Sequence, residues 1–198
     1  MAIINYVSSE LNCKLVFYGP GLSGKTTNLQ YIHNKLSPST RGKLISLSTA
    51  GERTLFFDFL PINLGKIRGL MTRIHVYTVP GQVYYNESRK LVLRGLDGLV
   101  FIADSQESRW EANIFSYQNM IENLKSHRID LEELPFVIQY NKRDVSNILP
   151  VSLLQKELNP TNQAAFEACA LSGEGVFNTL KAASRQVIQS VSGQLRKK

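Results

Sequence analysis

The chain has 198 residues, of which 43% are hydrophobic and 20% are charged, so it can bury the core of one α/β domain but not of two. No apolar run approaches the ~20 residues of a membrane-spanning helix, and Cys13 and Cys169 show no metal-ligand spacing. The formal net charge of +7 permits nucleic-acid binding, but no aromatic-basic RNA motif accompanies the basic stretch from Ile62 to Gly95. We expect a cytoplasmic protein with no lipid anchor and no direct nucleic-acid contact.

The predicted elements alternate between strands and helices, with no repeat, low-complexity tract or linker. In chain order they are strands at IINY and CKLVFYG, a helix at TTNLQYIHNKL, strands at TLFFDFLPI, MTRIHVYTV and DGLVFIAD, a helix at RWEANIFSYQNMIENLKSH, a strand at LPFVIQYNKRD and a helix at GVFNTLKAASRQVIQSV. The first two strands are expected to pair as a hairpin, and so are the third and fourth. This pattern predicts a single α/β domain over residues 1–198. Its sheet should be mostly parallel and doubly wound, with one antiparallel strand, an extra N-terminal strand and helices on both faces.

A phosphate-binding pattern lies between the strand CKLVFYG and the first helix. Gly19, Gly24, Lys25 and Thr26 match G-x-x-x-x-G-K-[ST], in which glycines let successive backbone N–H groups point at phosphate oxygens. Lys25 can reach the outer phosphates, and the hydroxyl group of Thr26 is a ligand suited to Mg²⁺. The same segment supplies the remaining candidate nucleotide contacts, Gly21, Leu22, Ser23 and Thr27.

A second motif, NKRD, follows the predicted strand FVIQY directly. The carboxylate of Asp144 can accept both the ring N–H and the exocyclic amine of guanine, two donors that adenine does not offer together. Asn141 is expected to brace the loop, and the stem of Lys142 to lie over the base. Backbone N–H groups near Cys169 and Ala170 are candidates to contact the guanine oxygen. Together with the phosphate loop, these residues predict a site for GTP and GDP.

The segments GPGLSGKTTNL, ERTLFFDFLP, YTVPGQVYYNESRKLVLRGLDGLVFIAD and NKRD resemble the MglA family of bacterial Ras-like small GTPases. The resemblance runs from about Tyr6 to the last helix. It implies a GTPase that is slow alone and that works as a nucleotide-dependent switch for cell polarity and motility. It also implies a GTPase-activating partner, a Roadblock/LC7 dimer of the MglB type, and polar effector and receptor proteins that recruit the GTP form to a cell pole.

The resemblance assigns roles to the segment YTVPGQVYY. Gly81 is expected to donate its N–H to the γ-phosphate, and Gln82 to orient the attacking water. Most Ras-like proteins have an aspartate that holds Mg²⁺ through water where this chain has Thr78. We expect either the hydroxyl group of Thr78 to contact a metal-bound water or Asp58 of the neighbouring strand to help.

The segment GERTLFFDF, which follows the first helix and its loop, supplies the remaining expectations from the resemblance. Thr54 is the candidate to reach Mg²⁺ once GTP is bound, and Arg53 is the candidate catalytic arginine, delivered within the same chain. Lys25 is counted as catalytic with Arg53 and Gln82. The resemblance also implies a register shift of the strand near Phe56 to Phe59 between nucleotide states, with Tyr84 and Tyr85 moving alongside.

Two other functions remain open on the sequence. A P-loop kinase or ATPase would explain the phosphate loop but would leave NKRD without a role. A scaffold that binds nucleotide with negligible turnover would explain the same motifs as a switch, and the altered magnesium position at Thr78 keeps that alternative open.

Overall fold

The computed structural model describes residues 2–5, 7–47 and 57–196. Its strands are β1 (Ile3–Asn5), β2 (Glu10–Tyr18), β3 (Ile45–Leu47), β4 (Phe57–Ile67), β5 (Leu70–Thr78), β6 (Gly98–Asp104), β7 (Phe136–Asn141) and β8 (Ala165–Glu167). Its α-helices are α1 (Lys25–Lys35), α2 (Asn86–Leu93), α3 (Trp110–Ser126), α4 (Val151–Leu158) and α5 (Val176–Arg196), with one-turn 3-10 helices at Val83–Tyr85 and Glu107–Arg109. Among these residues, no helix is long and apolar enough to cross a membrane.

The strands form one sheet in the order β3-β4-β5-β2-β6-β7-β8, with β1 paired to β2 outside that path. The strands β5, β2, β6, β7 and β8 run parallel to one another, whereas β4 is antiparallel to β5 and to β3. The strand β1 is antiparallel to β2. The predicted α/β class, both predicted hairpins, the antiparallel strand and the extra N-terminal strand are therefore confirmed. That the chain is one domain over residues 1–198 stays a prediction.

Helices cover both faces of the sheet because its central strands are apolar on both sides. Every residue of β6 and of β7 is buried, as is typical of parallel strands between two helical layers. One apolar cluster joins the sheet to α1 and α5 through side chains such as Leu29 and Val187. A second cluster on the opposite face joins it to α2, α3 and α4 through Leu93, Met120 and Leu154.

The strand β2 lies at the point where the chain reverses its direction of winding. Its neighbours are β5 on one side and β6 on the other. The connections from β2 to β5 and from β6 to β7 lead away from each other, which opens a crevice at the carboxyl ends of β2 and β6. Ligands of doubly wound sheets bind in such a crevice.

The strand β4 alternates between a buried and a half-buried face. Asp58, Leu60 and Ile62 are buried, whereas Phe57 and Phe59 are half-buried and contact the ring of Tyr77 at centroid distances of 5.8 and 4.8 Å. A shift by one residue would exchange the two faces and move Asp58 away from the crevice. The register shift near Phe56 to Phe59 stays a prediction, and Phe56 lies outside the described residues.

Two glycines provide a matched test of the packing between β6 and α5. A Cβ at Gly98 would clash with Val187 of α5, whereas a Cβ at Gly193 in the exposed part of α5 would meet nothing within 4 Å. We expect Gly98→Ala to lower the free energy of unfolding by about 1–3 kcal/mol through overpacking. Gly193→Ala should raise it by up to about 1 kcal/mol because alanine is the better helix former. Urea unfolding measures both, and an unchanged stability of Gly98→Ala would contradict this account of the core.

Candidate active site

The loop from Gly19 to Gly24 connects β2 to α1 and wraps the side chain of Lys25. The ammonium group donates to the backbone carbonyl oxygens of Gly19 at 2.8 Å and Pro20 at 2.6 Å. Burial lowers the pKa of Lys25 to about 7, and of the nearby charges Arg89 adds to this while Asp58 opposes it. A buried cation is stabilised by an adjacent anion. The loop therefore presents a cation suited to an anionic ligand such as phosphate.

Glycines at two positions permit close approach of the loops around this cation. Gly24 has a φ of +94° and forms the N-cap of α1, a left-handed conformation that favours glycine. A Cβ on Gly24 would clash with the side chain of Asn141, and a Cβ on Gly81 would clash with the backbone of Gly21. The loop after β5 and the NKRD motif can therefore both contact the phosphate loop directly.

Asn141 at the end of β7 joins three parts of the site. Its side-chain amide donates to the carbonyl oxygen of Ser23 at 2.7 Å and accepts from the N–H of Ala170 at 2.9 Å. The N–H of Cys169 donates to the carbonyl oxygen of Glu174 at 3.0 Å. Both N–H groups proposed for the guanine oxygen thus have acceptors within the protein, and their contact with guanine stays a prediction.

Lys142 and Asp144 of the NKRD motif differ in exposure. The ammonium group of Lys142 donates to Asp104 Oδ2 at 2.6 Å and to Gln106 Oε1 at 3.1 Å. Its backbone has a φ of 65°, and its side chain is only 26% exposed. Asp144 is exposed, at the carboxyl end of the sheet. Its carboxylate can therefore be reached by a base that enters from solvent.

A buried carboxylate from β4 lies beside the phosphate loop. The hydroxyl groups of Thr26 and Thr78 donate to Asp58 Oδ2 at 2.6 and 2.9 Å, and that of Ser46 donates to Oδ1 at 2.7 Å. The backbone N–H of Asp58 in turn donates to the Thr78 hydroxyl oxygen at 2.8 Å. Asp58 is only 8% exposed. Thr78 and Asp58 thus lie within hydrogen-bond distance of each other, and both possibilities that the sequence left open at Thr78 stay predictions.

A cavity of about 460 Å³ lies between these groups. Its walls come from the phosphate loop and the first turn of α1, from Ser46, from β4 and from the residues after β5. The sequence-derived candidates that line it are Gly21, Leu22, Gly24, Lys25, Thr26, Thr27, Gly81 and Gln82. Gly19 and the buried Ser23 lie behind this wall, in the same loop. Asn141, Lys142 and Asp144 do not line this cavity, which is the part of the site suited to phosphates.

Three polar residues of the site have no place in the sequence motifs. Ser46 binds Asp58, as described above. Arg109, before α3, donates to the carbonyl oxygen of Gly21 at 2.7 Å. Asp104 at the end of β6 is fully buried, binds Lys142 and has an oxygen 3.9 Å from Arg109 Nε. Only Asp104 had a signal in the sequence, as the acidic end of an apolar strand. Arg53 and Thr54, both predicted site residues, lie outside the described residues.

Comparisons with known proteins agree with this geometry. No protein-family model matches the chain. Over 188 residues the chain is 58% identical to the mutual gliding-motility protein MglA of Myxococcus xanthus (strain DK1622), and the aligned region covers 95% of this chain and 96% of that protein. Identity at this level over nearly the whole length confirms the resemblance found in the sequence. The chain belongs to the MglA family of Ras-like small GTPases, enzymes that hydrolyse GTP.

Proposed function

We propose that this GTPase binds GTP and GDP with Mg²⁺ and works as a nucleotide-dependent switch in cell polarity and gliding motility. The observation that supports it most is the buried ammonium group of Lys25, enclosed by the phosphate loop and bordered by the oxygens of Thr26 and Asp58. The relative from M. xanthus is named as a gliding-motility protein, and the cellular part of the proposal follows that name. We further propose that the protein is cytoplasmic and is recruited to a pole in its GTP form.

The residues beside the phosphate loop fit a magnesium ion. The side-chain donors gathered there are oxygens, from Thr26, Asp58 and Thr78. Mg²⁺ prefers hard oxygen ligands and takes several of them from substrate phosphates and water. Among the described residues, no group of three or more His, Cys, Asp and Glu could hold a metal, which suits a site completed by the nucleotide. We propose Thr26, Asp58 and Thr54 as the protein's contributions, and Thr54 lies outside the described residues.

The residues around the cavity have different roles in hydrolysis. Phosphoryl transfer to water needs positioned groups and neutralised charge more than covalent chemistry. Lys25 balances the charge of the outer phosphates, and the N–H of Gly81 donates to the γ-phosphate. Gln82, whose side chain is exposed at the rim, orients the attacking water. Mg²⁺ would neutralise charge on the phosphate oxygens.

We propose that the catalytic arginine is Arg53 and that an MglB-type Roadblock/LC7 dimer orders the loop that carries it. This assignment follows from the resemblance to the MglA family. An arginine placed at the γ-phosphate adds about 10³–10⁵-fold to GTP hydrolysis. The GTP form is expected to bind polar effector and receptor proteins.

Replacing the carboxylate of Asp144 by an amide tests whether this residue binds guanine. Asp144→Asn should lose tight binding of GTP and gain binding of xanthosine triphosphate. Xanthine has a carbonyl oxygen, an acceptor, where guanine has its exocyclic amine, and the asparagine side chain offers an N–H donor to that oxygen. A site built from polar groups rejects a base that leaves one of those groups without a hydrogen bond. Competition between fluorescent and unlabelled nucleotides measures both affinities. A variant that still prefers GTP would show that Asp144 does not contact the base.

Removing the charge of Asp58 tests the magnesium site. We expect Asp58→Asn to raise the Mg²⁺ concentration needed for GTP hydrolysis by about tenfold or more, because a charged oxygen near the metal becomes neutral. Ser46→Ala is the matched control, since it removes a hydrogen bond to Asp58 Oδ1 but leaves the carboxylate beside Thr26. The measurement is a magnesium titration of single-turnover hydrolysis. An unchanged magnesium requirement in Asp58→Asn would exclude Asp58 from the site.

A third experiment tests the catalytic arginine. Arg53→Ala should keep GTP binding and MglB binding but lose at least about 10³-fold of stimulated hydrolysis, the lower limit of an arginine finger. Gln82→Leu should also keep both binding activities and lose stimulated hydrolysis, because both residues act on one transition state and their effects are not additive. Single-turnover hydrolysis with and without MglB gives both values. Stimulation of Arg53→Ala to within a few fold of the wild type would place the arginine elsewhere, with Arg89 or the partner as the next candidates.

A further inference from the structure

The loop that carries Gln82 is held by an arginine from the following helix. Arg89 of α2 is only 4% exposed. Its guanidinium group donates through Nη1 to the carbonyl oxygen of Gln82 at 2.5 Å and to that of Pro80 at 3.3 Å. The two acceptors lie on either side of Gly81. Arg89 therefore restrains the backbone on both sides of the residue that faces the phosphate loop.

The other edge of this guanidinium group is anchored to α3. Arg89 Nε donates to Asn119 Oδ1 at 2.8 Å. A planar guanidinium group with donors bound on two edges has little freedom to rotate. The side chain of Asn119 therefore helps to fix the guanidinium group of Arg89, and through it the carbonyl oxygens of Pro80 and Gln82.

Asn119 is itself fixed by a network of polar side chains between β2, α2 and α3. The hydroxyl group of Tyr18 donates to Asn119 Oδ1 at 2.7 Å, and Asn119 Nδ2 donates to Asn86 Oδ1 at 2.9 Å. Asn123 donates to Asn86 Oδ1 at 3.0 Å and to the Tyr18 hydroxyl oxygen at 3.1 Å. Tyr18 is fully buried at the end of β2. The network thus ties the loop after β5 to the centre of the sheet.

The chemistry of this network suits a rigid support. Burial raises the pKa of Tyr18 to about 12, so its hydroxyl group stays a donor over the whole working range of pH. Buried polar groups hold a unique arrangement when their hydrogen bonds are satisfied, and they become costly when one partner is lost. Leucine or phenylalanine side chains would fill the same space without specifying the position of Arg89.

We propose that Asn119 is a positioning residue for GTP hydrolysis, which acts through Arg89 to set the backbone of residues 80–82 and so directs the side chain of Gln82. This inference rests on the proposed role of Gln82 in orienting the attacking water. Asn119 Oδ1 binds Arg89, and Arg89 binds the loop, so the effect of Asn119 on the reaction is inferred to pass through Arg89. Loss of the Asn119 side chain should therefore slow hydrolysis without weakening nucleotide binding.

The test is single-turnover hydrolysis of GTP by the full chain, together with the dissociation constants for GTP and GDP. We expect Asn119→Ala to slow hydrolysis by about 10- to 100-fold, the effect of misplacing a reacting group by about 1 Å, with both dissociation constants within about twofold of the wild type. Gln118→Ala is the matched control, because Gln118 is the exposed neighbour on α3 and should leave all three values unchanged. Asn119→Asp keeps an oxygen acceptor for Arg89 and should restore most of the lost rate.

A second variant keeps the test decisive if Asn119→Ala does not fold. Arg89→Lys retains the positive charge, but a single ammonium group cannot reach both Asn119 and the loop, so it should show the same selective loss of rate. The inference is overturned if Asn119→Ala and Arg89→Lys hydrolyse GTP within about twofold of the wild type, or if their nucleotide affinity falls in parallel with the rate.

A double-variant cycle separates this inference from the proposed role of Gln82. If Asn119 acts through Gln82, Asn119→Ala should cause no further loss in a Gln82→Leu background. Independent losses that multiply would show that Asn119 acts by another route and would overturn the inference while leaving the role of Gln82 intact. Hydrolysis by Gln82→Leu at the rate of the wild type would overturn both.

Discussion

The ammonium group of Lys25 is buried between β2 and α1, and the surrounding structure is arranged to keep that cation in place. Removing a charge from water is unfavourable unless polar partners replace the water. Two backbone carbonyl oxygens of the phosphate loop accept hydrogen bonds from this group, and Asp58 favours its charged form while Arg89 and Arg109 oppose it. A bound polyphosphate would supply the missing negative charge. It would offset the unfavourable burial of the Lys25 ammonium group, and this gain would favour nucleotide binding.

Asp58 brings a carboxylate to Thr78 although the two residues lie on different strands. Ras-like proteins usually have an aspartate at the end of the strand that here ends at Thr78. In this chain the carboxylate comes from the antiparallel neighbour β4, and it binds the hydroxyl groups of Thr78 and Thr26 together. The pairing of β4 with β5 sets this geometry, so a shift of β4 along β5 would also move the carboxylate of the proposed magnesium site.

Local patterns allowed most of the fold and the phosphate loop to be predicted. The apolar runs of β6 and β7, the glycines before Lys25 and the polar end of β7 are all contained within short segments. The contact of Ser46 with Asp58, the bond from Arg109 to Gly21 and the network around Asn119 were not predicted, because each joins residues from separate elements. Their geometry depends on strand register and on helix packing, which no short segment specifies.

We infer that this site holds guanine nucleotides and hydrolyses GTP. The most direct measurement is the release of phosphate from radiolabelled GTP and ATP, each mixed with an excess of the wild-type protein in the presence of Mg²⁺. We expect conversion of the bound GTP to GDP and phosphate, and no conversion of ATP. Equal turnover of ATP, or GTP that stays bound and intact over many hours, would contradict this inference.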